Sequence, residues 1–139
     1  MDIESINRRP IGLEELVRES ELEGFRFLTR LSNELDSNGK AFDQQGETLM
    51  VVRDADRLIA IGGISNYDGV ARLRRFYVKK AYRKSGVGTL LLQNLEMFAS
   101  QYFSRITLFT DTASASKFYE ARGYTPAAES RVSHQKIIK

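Results

Sequence analysis

The stretch Leu73-Arg-Arg-Phe-Tyr-Val78 runs, five residues on, into Arg83-Lys-Ser-Gly-Val-Gly88. After that turn, Val87, Leu91, Leu95, Phe98 and Tyr102 recur at spacings of four, four, three and four residues. A strand that feeds a glycine turn and then a long one-sided helix leaves the chain little choice. The apolar stripe of the helix has to be buried, and the sheet the strand belongs to is the surface that buries it.

The rest of the chain supplies the sheet. Ile3 to Arg9 reads as a first strand stopped by Pro10. Leu13, Leu16 and Val17, then Phe25, Leu28, Leu31 and Leu35, have helical spacing and predict two helices around Gly24. Asp36 to Gly46 is polar and reads as a loop. Leu49–Val52 and Leu58–Ile64 predict an antiparallel pair joined at Asp54 to Arg57. Ala71 to Val78 is the next strand, Ile106 to Thr110 another, and Ser114 to Arg122 a short helix ended by Gly123. Tyr124 to Ala127 and Arg131 to Ile138 close the chain as strands. The expected fold is a mixed α/β sheet with helices on both faces, in a single domain spanning residues 1–139.

Charge narrows the partners. The chain carries 21 basic and 18 acidic residues. Seven of the basic ones, Arg72, Arg74, Arg75, Lys79, Lys80, Arg83 and Lys84, fall between Ala71 and Lys84 with no acid among them. The remainder is net acidic. A nucleic-acid binder spreads its charge over a broader face and adds stacking aromatics; one stripe beside a glycine turn suits a compact polyanion, and nucleic acid is not the expected partner. A solvated charged strand edge is the plainer alternative. With no cysteine and one histidine, disulfides, thiolate nucleophiles and Cys- or His-rich metal centres are not expected. No apolar run nears the roughly 18 residues of a membrane span, and Met-Asp-Ile-Glu-Ser is not a secretory leader. The expectation is a cytoplasmic protein without a membrane or metal partner.

The glycine turn has its own chemistry. The first amides of a helix have no internal partner and carry the positive end of its dipole. Gly86 and Gly88 have no Cβ to keep a pyrophosphate away. Arg83 and Lys84 add charge, and Thr89 a hydroxyl. A Walker loop needs four residues between its glycines and a following Lys-Ser/Thr, and a dinucleotide fingerprint a third glycine with a distant acid. Neither is present.

Three segments together resemble the GNAT family of acetyl-CoA-dependent N-acetyltransferases: Leu73–Val78, Arg83-x-x-Gly-x-Gly88, and Phe118-Tyr-Glu-Ala-Arg-Gly-Tyr124. The first two are similar to its acyl-CoA signature after a strand ending apolar-Tyr-Val. The third is similar to its later helix, and the element order covers nearly the whole chain. The resemblance implies a central, mostly antiparallel mixed sheet of about seven strands, splayed to form an acyl-CoA wedge between Ala71–Val78 and Ile106–Thr110. Backbone groups of Phe76, Tyr77 and Val78 would hold the pantetheine arm and thioester. Lys84, Ser85, Gly86, Val87, Gly88 and Thr89 would bind the pyrophosphate, with Arg83 opening the signature. Tyr119 would be the general acid, since a phenol near pKa 10 stays protonated at neutral pH and can donate to a thiolate. Acetyl-CoA is the implied co-substrate, and a primary amine on a small molecule or protein the implied acceptor. Family members are often dimers, so a homodimer is an open assembly.

Two departures matter. Where many members carry a glutamate base, this chain has Arg72, which cannot accept a proton. Where many carry an asparagine that touches the cofactor, this chain has Thr112. Asp111, Glu47 and His134 are the remaining candidate bases. Arg72 and Arg74, two apart, share a strand face and could fork onto a carboxylate or phosphate of the acceptor, or else pair with helix acids. Asp36–Gly46 and Ser65–Val70 are the expected acceptor-side loops. Two other readings stay open: a non-catalytic acyl-CoA-binding module of the same fold, and a nucleic-acid-binding domain using the basic stripe.

Overall fold

The apolar runs at 49–52 and 58–64 form two neighbouring interior strands of the sheet. The computed structural model describes residues 1–139. Its elements are β1 (Asp2–Ile6), α1 (Leu13–Leu22), α2 (Phe27–Asn38), β2 (Thr48–Asp54), β3 (Arg57–Tyr67), β4 (Val70–Val78), α3 (Val87–Ser100), β5 (Arg105–Leu108), α4 (Ala113–Glu120), β6 (Thr125–Glu129) and β7 (Val132–Ile137). The seven strands lie in the order β1-β2-β3-β4-β5-β7-β6. Every neighbouring pair is antiparallel except β4–β5, as the crossover through α3 requires.

Strand alternation divides the core in two. Leu49 and Val51 of β2, with Leu58 and Ile61 of β3, pack under α1 and α2. Met50, Val52, Ile64, Ala71 and Leu73 point the other way, onto Leu91, Leu95 and Ala99 of α3 and Tyr119 of α4. The stripe read from the sequence is therefore the buried one. Leu91 and Leu95 are fully buried, so truncating either to alanine should cost about 2–5 kcal/mol.

The strand ends differ from expectation in local ways. β1 stops at Ile6, and the Asn7 carbonyl instead accepts from the Ala41 amide at 3.0 Å. β5 stops at Leu108, because Thr110 turns its amide onto the Ser133 hydroxyl at 2.9 Å. A short 3₁₀ turn at Lys80–Tyr82, not expected from the sequence, links β4 to the glycine turn. No helix is long and apolar enough to cross a membrane.

One irregularity places the site. Gly63 pairs with Arg74 and Ile61 with Tyr77, so two residues of β4, Arg75 and Phe76, stand opposite Gly62 alone. Arg75 adopts a left-handed φ of 58°. This β-bulge shifts the alternation by one residue. Leu73 and Phe76 both face α3, whereas the Arg75 side chain reaches Glu34 of α2.

Candidate active site

β4 and β5 are joined at only two residue pairs, Ala71 with Ile106 and Arg72 with Thr107. The Thr107 hydroxyl donates to the Ala71 carbonyl at 3.3 Å at this last point of contact. Beyond it the strands diverge, and a cleft of about 1000 Å³ opens between them. Phe76, Tyr77, Val78, Arg83, Lys84, Gly86, Gly88, Thr89, Thr112 and Tyr119 all line it. The structure thus brings together residues that lie up to 43 positions apart. Ser85 is turned away, its hydroxyl on the Tyr82 carbonyl, and the Val87 side chain, at the start of α3, is buried in the core.

The two glycines serve the cleft differently. Gly86 caps α3 with φ 89° and has nothing within 4 Å of where a Cβ would stand. Lys84 before it is also left-handed, at φ 63°. The first helical hydrogen bond is Leu90 N–H to the Gly86 carbonyl at 3.0 Å, so the amides of Val87, Gly88 and Thr89 precede it and are free to bind an anion. At Gly88 a Cβ would meet the Phe118 ring at 3.1 Å. Its small size is spent on letting α4 approach α3, as well as on leaving the turn open.

Side-chain charge at this turn is already engaged. Arg83 forks onto Glu23, Nη1 to Oε2 at 2.8 Å and Nη2 to Oε1 at 2.6 Å, while its Nε donates to the Val78 carbonyl at 3.0 Å. Its guanidinium also lies 5.2 Å from the centre of the Tyr77 ring. Hydrogen bonds from Arg83, more than any other influence, push the Glu23 carboxyl down to about 2. The Arg83 side chain therefore holds the turn in place, leaving Lys84 as the cation of the pair with no acidic partner. The Thr89 hydroxyl accepts from Arg122 Nε at 2.8 Å. Thr112 caps α4, its hydroxyl accepting from the Ala115 amide at 3.3 Å.

Three tyrosines are buried, and only one keeps its hydroxyl free. Tyr77 presents one phenolic proton to two carboxylates, Glu19 at 2.6 Å and Glu23 at 2.5 Å. Tyr124 donates to Glu96 at 2.8 Å. The Tyr119 ring sits among Phe76, Phe118 and Tyr124, and no protein group hydrogen-bonds its hydroxyl. Burial raises its pKa, so the phenol stays a protonated donor at neutral pH.

Of the candidate bases, only Asp111 lines the cleft. His134 is buried on β7 between the Ser133 hydroxyl at 2.9 Å and Glu120 at 2.8 Å. Glu47 accepts the amides of Gln44 and Asn66, at 3.2 and 2.9 Å. The structure brings neither to the cleft. Arg72 and Arg74 do share one face, and neither pairs with a helix acid: Arg72 donates to the Arg131 carbonyl at 2.5 Å. Asp36–Gly46 and Ser65–Val70, expected on the acceptor side, contribute nothing to the lining. Gly24 to Phe27 and Arg30, at the junction of α1 and α2, take that place.

The sequence profile of the acetyltransferase (GNAT) domain family matches residues 15–138. The chain belongs to the GNAT acetyltransferase family. No curated protein sequence gives a significant match. Solved structures share the fold. A protein assigned as an acetyltransferase from Exiguobacterium sp. 255-15 superposes with a TM-score of 0.83 at 24% identity, over 99% of this chain and 94% of that one. An aminoglycoside 6′-N-acetyltransferase complexed with coenzyme A gives 0.74 at 18%, over 100% and 98%. N-acetylglutamate synthase from Neisseria gonorrhoeae, complexed with coenzyme A and N-acetyl-glutamate, gives 0.72 at 14%, over 100% and 36%.

Within this GNAT domain, the sequence reading missed Arg122, which lines the cleft with its guanidinium 3.8 Å from the centre of the Phe118 ring. It also missed Arg26 and Arg30. A positive residue one turn after the Phe118-Tyr119 pair was a readable signal for the first. Nothing local marks the other two, because they reach the cleft only through the packing of α2 over β4. No three His, Asp or Glu side chains cluster as metal ligands do.

Proposed function

We propose that this protein transfers an acetyl group from acetyl-CoA to a primary amine. The observation that carries the reading is the opening between β4 and β5, flanked by the free amides of α3 on one side and the unpartnered Tyr119 hydroxyl on the other. The amides of Val87, Gly88 and Thr89 take the pyrophosphate, with Lys84 adding charge. The backbone edge of Phe76–Val78, which pairs with β3 on one side only, holds the pantetheine arm in extended form and positions the thioester carbonyl.

The amine nitrogen attacks the thioester carbon, a C–N bond forms, and the C–S bond breaks. Tyr119 supplies a proton to the departing sulfur. The nitrogen sheds its own proton to water, since Arg72 occupies the place of a base and cannot accept one. Most of the acceleration then comes from positioning and from backbone donors facing the developing oxyanion. Binding of coenzyme A by the aminoglycoside 6′-N-acetyltransferase and N-acetylglutamate synthase, which share the fold, supports the choice of donor.

That same Arg72 favours a second reading, a non-catalytic acyl-CoA-binding module. Release of free thiol from acetyl-CoA, followed across a panel of amines, separates the two. Amine-dependent release with formation of the N-acetyl product supports the transferase. Tight CoA binding with no release for any amine supports the module. Nucleic-acid binding fits less well, because Arg75, Lys79 and Arg83 are already paired with Glu34, Glu15 and Glu23.

A further inference from the structure

The cleft is lined from both faces of the sheet, and basic side chains crowd it on each. On the α3 face the mouth holds the glycine turn. On the α2 face stand Arg72 and Arg74, on the opposite side of β4 from the buried Leu73, together with Arg26 and Arg30 from the α1–α2 junction and Arg75. The bulge is what adds Arg75. In a regular strand it would face α3 with Leu73; with φ at 58° it joins Arg74 on the α2 side.

Only one of these five guanidinium groups has an acidic partner. Arg75 meets Glu34 at 2.8 Å. Arg26, Arg30, Arg72 and Arg74 form no ion pair, although the chain neutralises the basic residues further along the same stripe, Lys79 with Glu15 and Arg83 with Glu23. Asp111 is the single acidic residue lining the entire cleft. The Arg75 side chain is only 8% exposed, and its Nε is buried without any hydrogen-bond partner. A buried N–H left this way is destabilising unless something accepts from it. Arg72 and Arg74 each have a guanidinium disfavoured by burial and by a neighbouring arginine. Surface arginines are ordinarily solvated and far apart; Arg72 and Arg74 are half-buried, share one strand face, and line one cavity with the exposed Arg26 and Arg30.

We propose that the acceptor is a small amine that itself carries an anionic group, a carboxylate or a phosphate, received by Arg74 and Arg72 at the α2-facing mouth with Arg26, Arg30 and Arg75 completing the positive field. The inference rests on the acetyl-transfer reading and deepens it. The anion docks on planar donors suited to bidentate oxygen pairs, and the amine points inward to the thioester. A polyamine, an aminoglycoside or a lysine-rich peptide would bring positive charge into a cleft whose lining holds many basic side chains and one acid, Asp111.

Calorimetric titration of the CoA-saturated protein at low salt tests this with four probes: glutamate for the carboxylate arm, glucosamine 6-phosphate for the phosphate arm, and glucosamine and spermidine as neutral-bodied and cationic controls. At least one anionic amine should bind tenfold or more tightly than either control, and added salt should weaken it. Arg74→Gln should weaken that amine at least tenfold with CoA affinity held within about twofold, and Arg74→Lys should recover part of the loss. Spermidine binding as tightly as both anionic amines, no binding of either anionic amine, or an unaltered affinity in folded Arg74→Gln would each overturn the proposal. Thiol release is read separately. An anionic amine that binds without being acetylated, in a protein that acetylates nothing, removes the transferase reading and leaves the anion site; turnover of cationic amines alone removes the anion site and leaves the transferase.

Discussion

Arg83 grips Glu23 with both terminal nitrogens, at 2.8 and 2.6 Å, and the two residues are 60 positions apart in sequence. Glu23 follows the last turn of α1, and Arg83 opens the glycine turn before α3. The fork therefore ties a helix on one face of the sheet to the glycine turn on the other. The Tyr77 hydroxyl, donating toward Glu23 from below, holds the carboxylate in register with the guanidinium.

Breaking this fork should loosen the turn. In a double-mutant cycle of Glu23→Gln and Arg83→Gln, urea midpoints should yield a coupling of about 1 kcal/mol, the lower part of the range for interacting pairs, because Arg83 is 38% exposed and solvent screens it. CoA should bind more weakly in both single variants, measured by calorimetry. Strict additivity of the two changes would mean the pair contributes nothing.

The same carboxylate sets an acid limit. An unfolded Glu23 titrates near its ordinary value of 4.5, whereas in the folded protein it is pushed down to about 2. Between those values the unfolded chain binds a proton that the native one refuses, so the contribution is full above 4.5 and fades as pH falls toward 2. Comparing wild type with Glu23→Gln, the gap in stability should be widest at neutral pH and close steadily through that window. A gap that is constant with pH contradicts the assignment.

Tyr119→Phe removes a hydroxyl that no protein group uses, so stability should stay within about 0.5 kcal/mol. If that hydroxyl protonates the sulfur, turnover should fall by roughly 10²-fold with the Michaelis constant for acetyl-CoA little changed. A thioester with a better leaving thiolate should regain part of the rate. Wild-type turnover in the variant would hand the proton to another donor.

Gly86→Val places a branched side chain where φ is 89° and no protein atom lies within 4 Å. The strain of a left-handed β-branched residue should cost on the order of 1–2 kcal/mol, visible as a lower melting temperature. CoA should bind at least tenfold more weakly, since the added atoms stand over the free amides. A folded variant with undiminished CoA affinity would move the pyrophosphate away from this turn.

Periodicity made the long elements readable, because Leu91, Leu95, Leu28 and Leu31 each repeat at the interval their helix buries. The bulge was not readable within β4, where Arg74 and Arg75 look like any two neighbours of a strand. Its trace lies one strand over. At Gly62 a Cβ would come within 2.9 Å of Leu95 and 3.0 Å of Phe76, and at Gly63 within 2.7 Å of Phe42. A glycine pair inside the run Leu58–Ile64 is where β3 yields to a crowded neighbour. The arrangement of the arginines was legible only in part. Arg72 and Arg74 follow from alternation, but Arg26, Arg30 and Arg75 depend on how α2 lies across β4 and on a single backbone dihedral.

The divergence of β4 from β5 also bears on how the sheet manages its own backbone edges. Past Arg72 each strand presents backbone donors and acceptors that its neighbour no longer uses, which amounts to two sheet edges in the interior of one sheet. Edges of that kind invite other chains to add as strands. Here they face each other across a gap whose α2-side entrance is crowded with like-charged guanidinium groups and whose floor is closed by aromatic rings. Two edges held this close leave room for one extended chain between them, so the free backbone of the gap is matched to a single strand-like occupant and not to a second sheet.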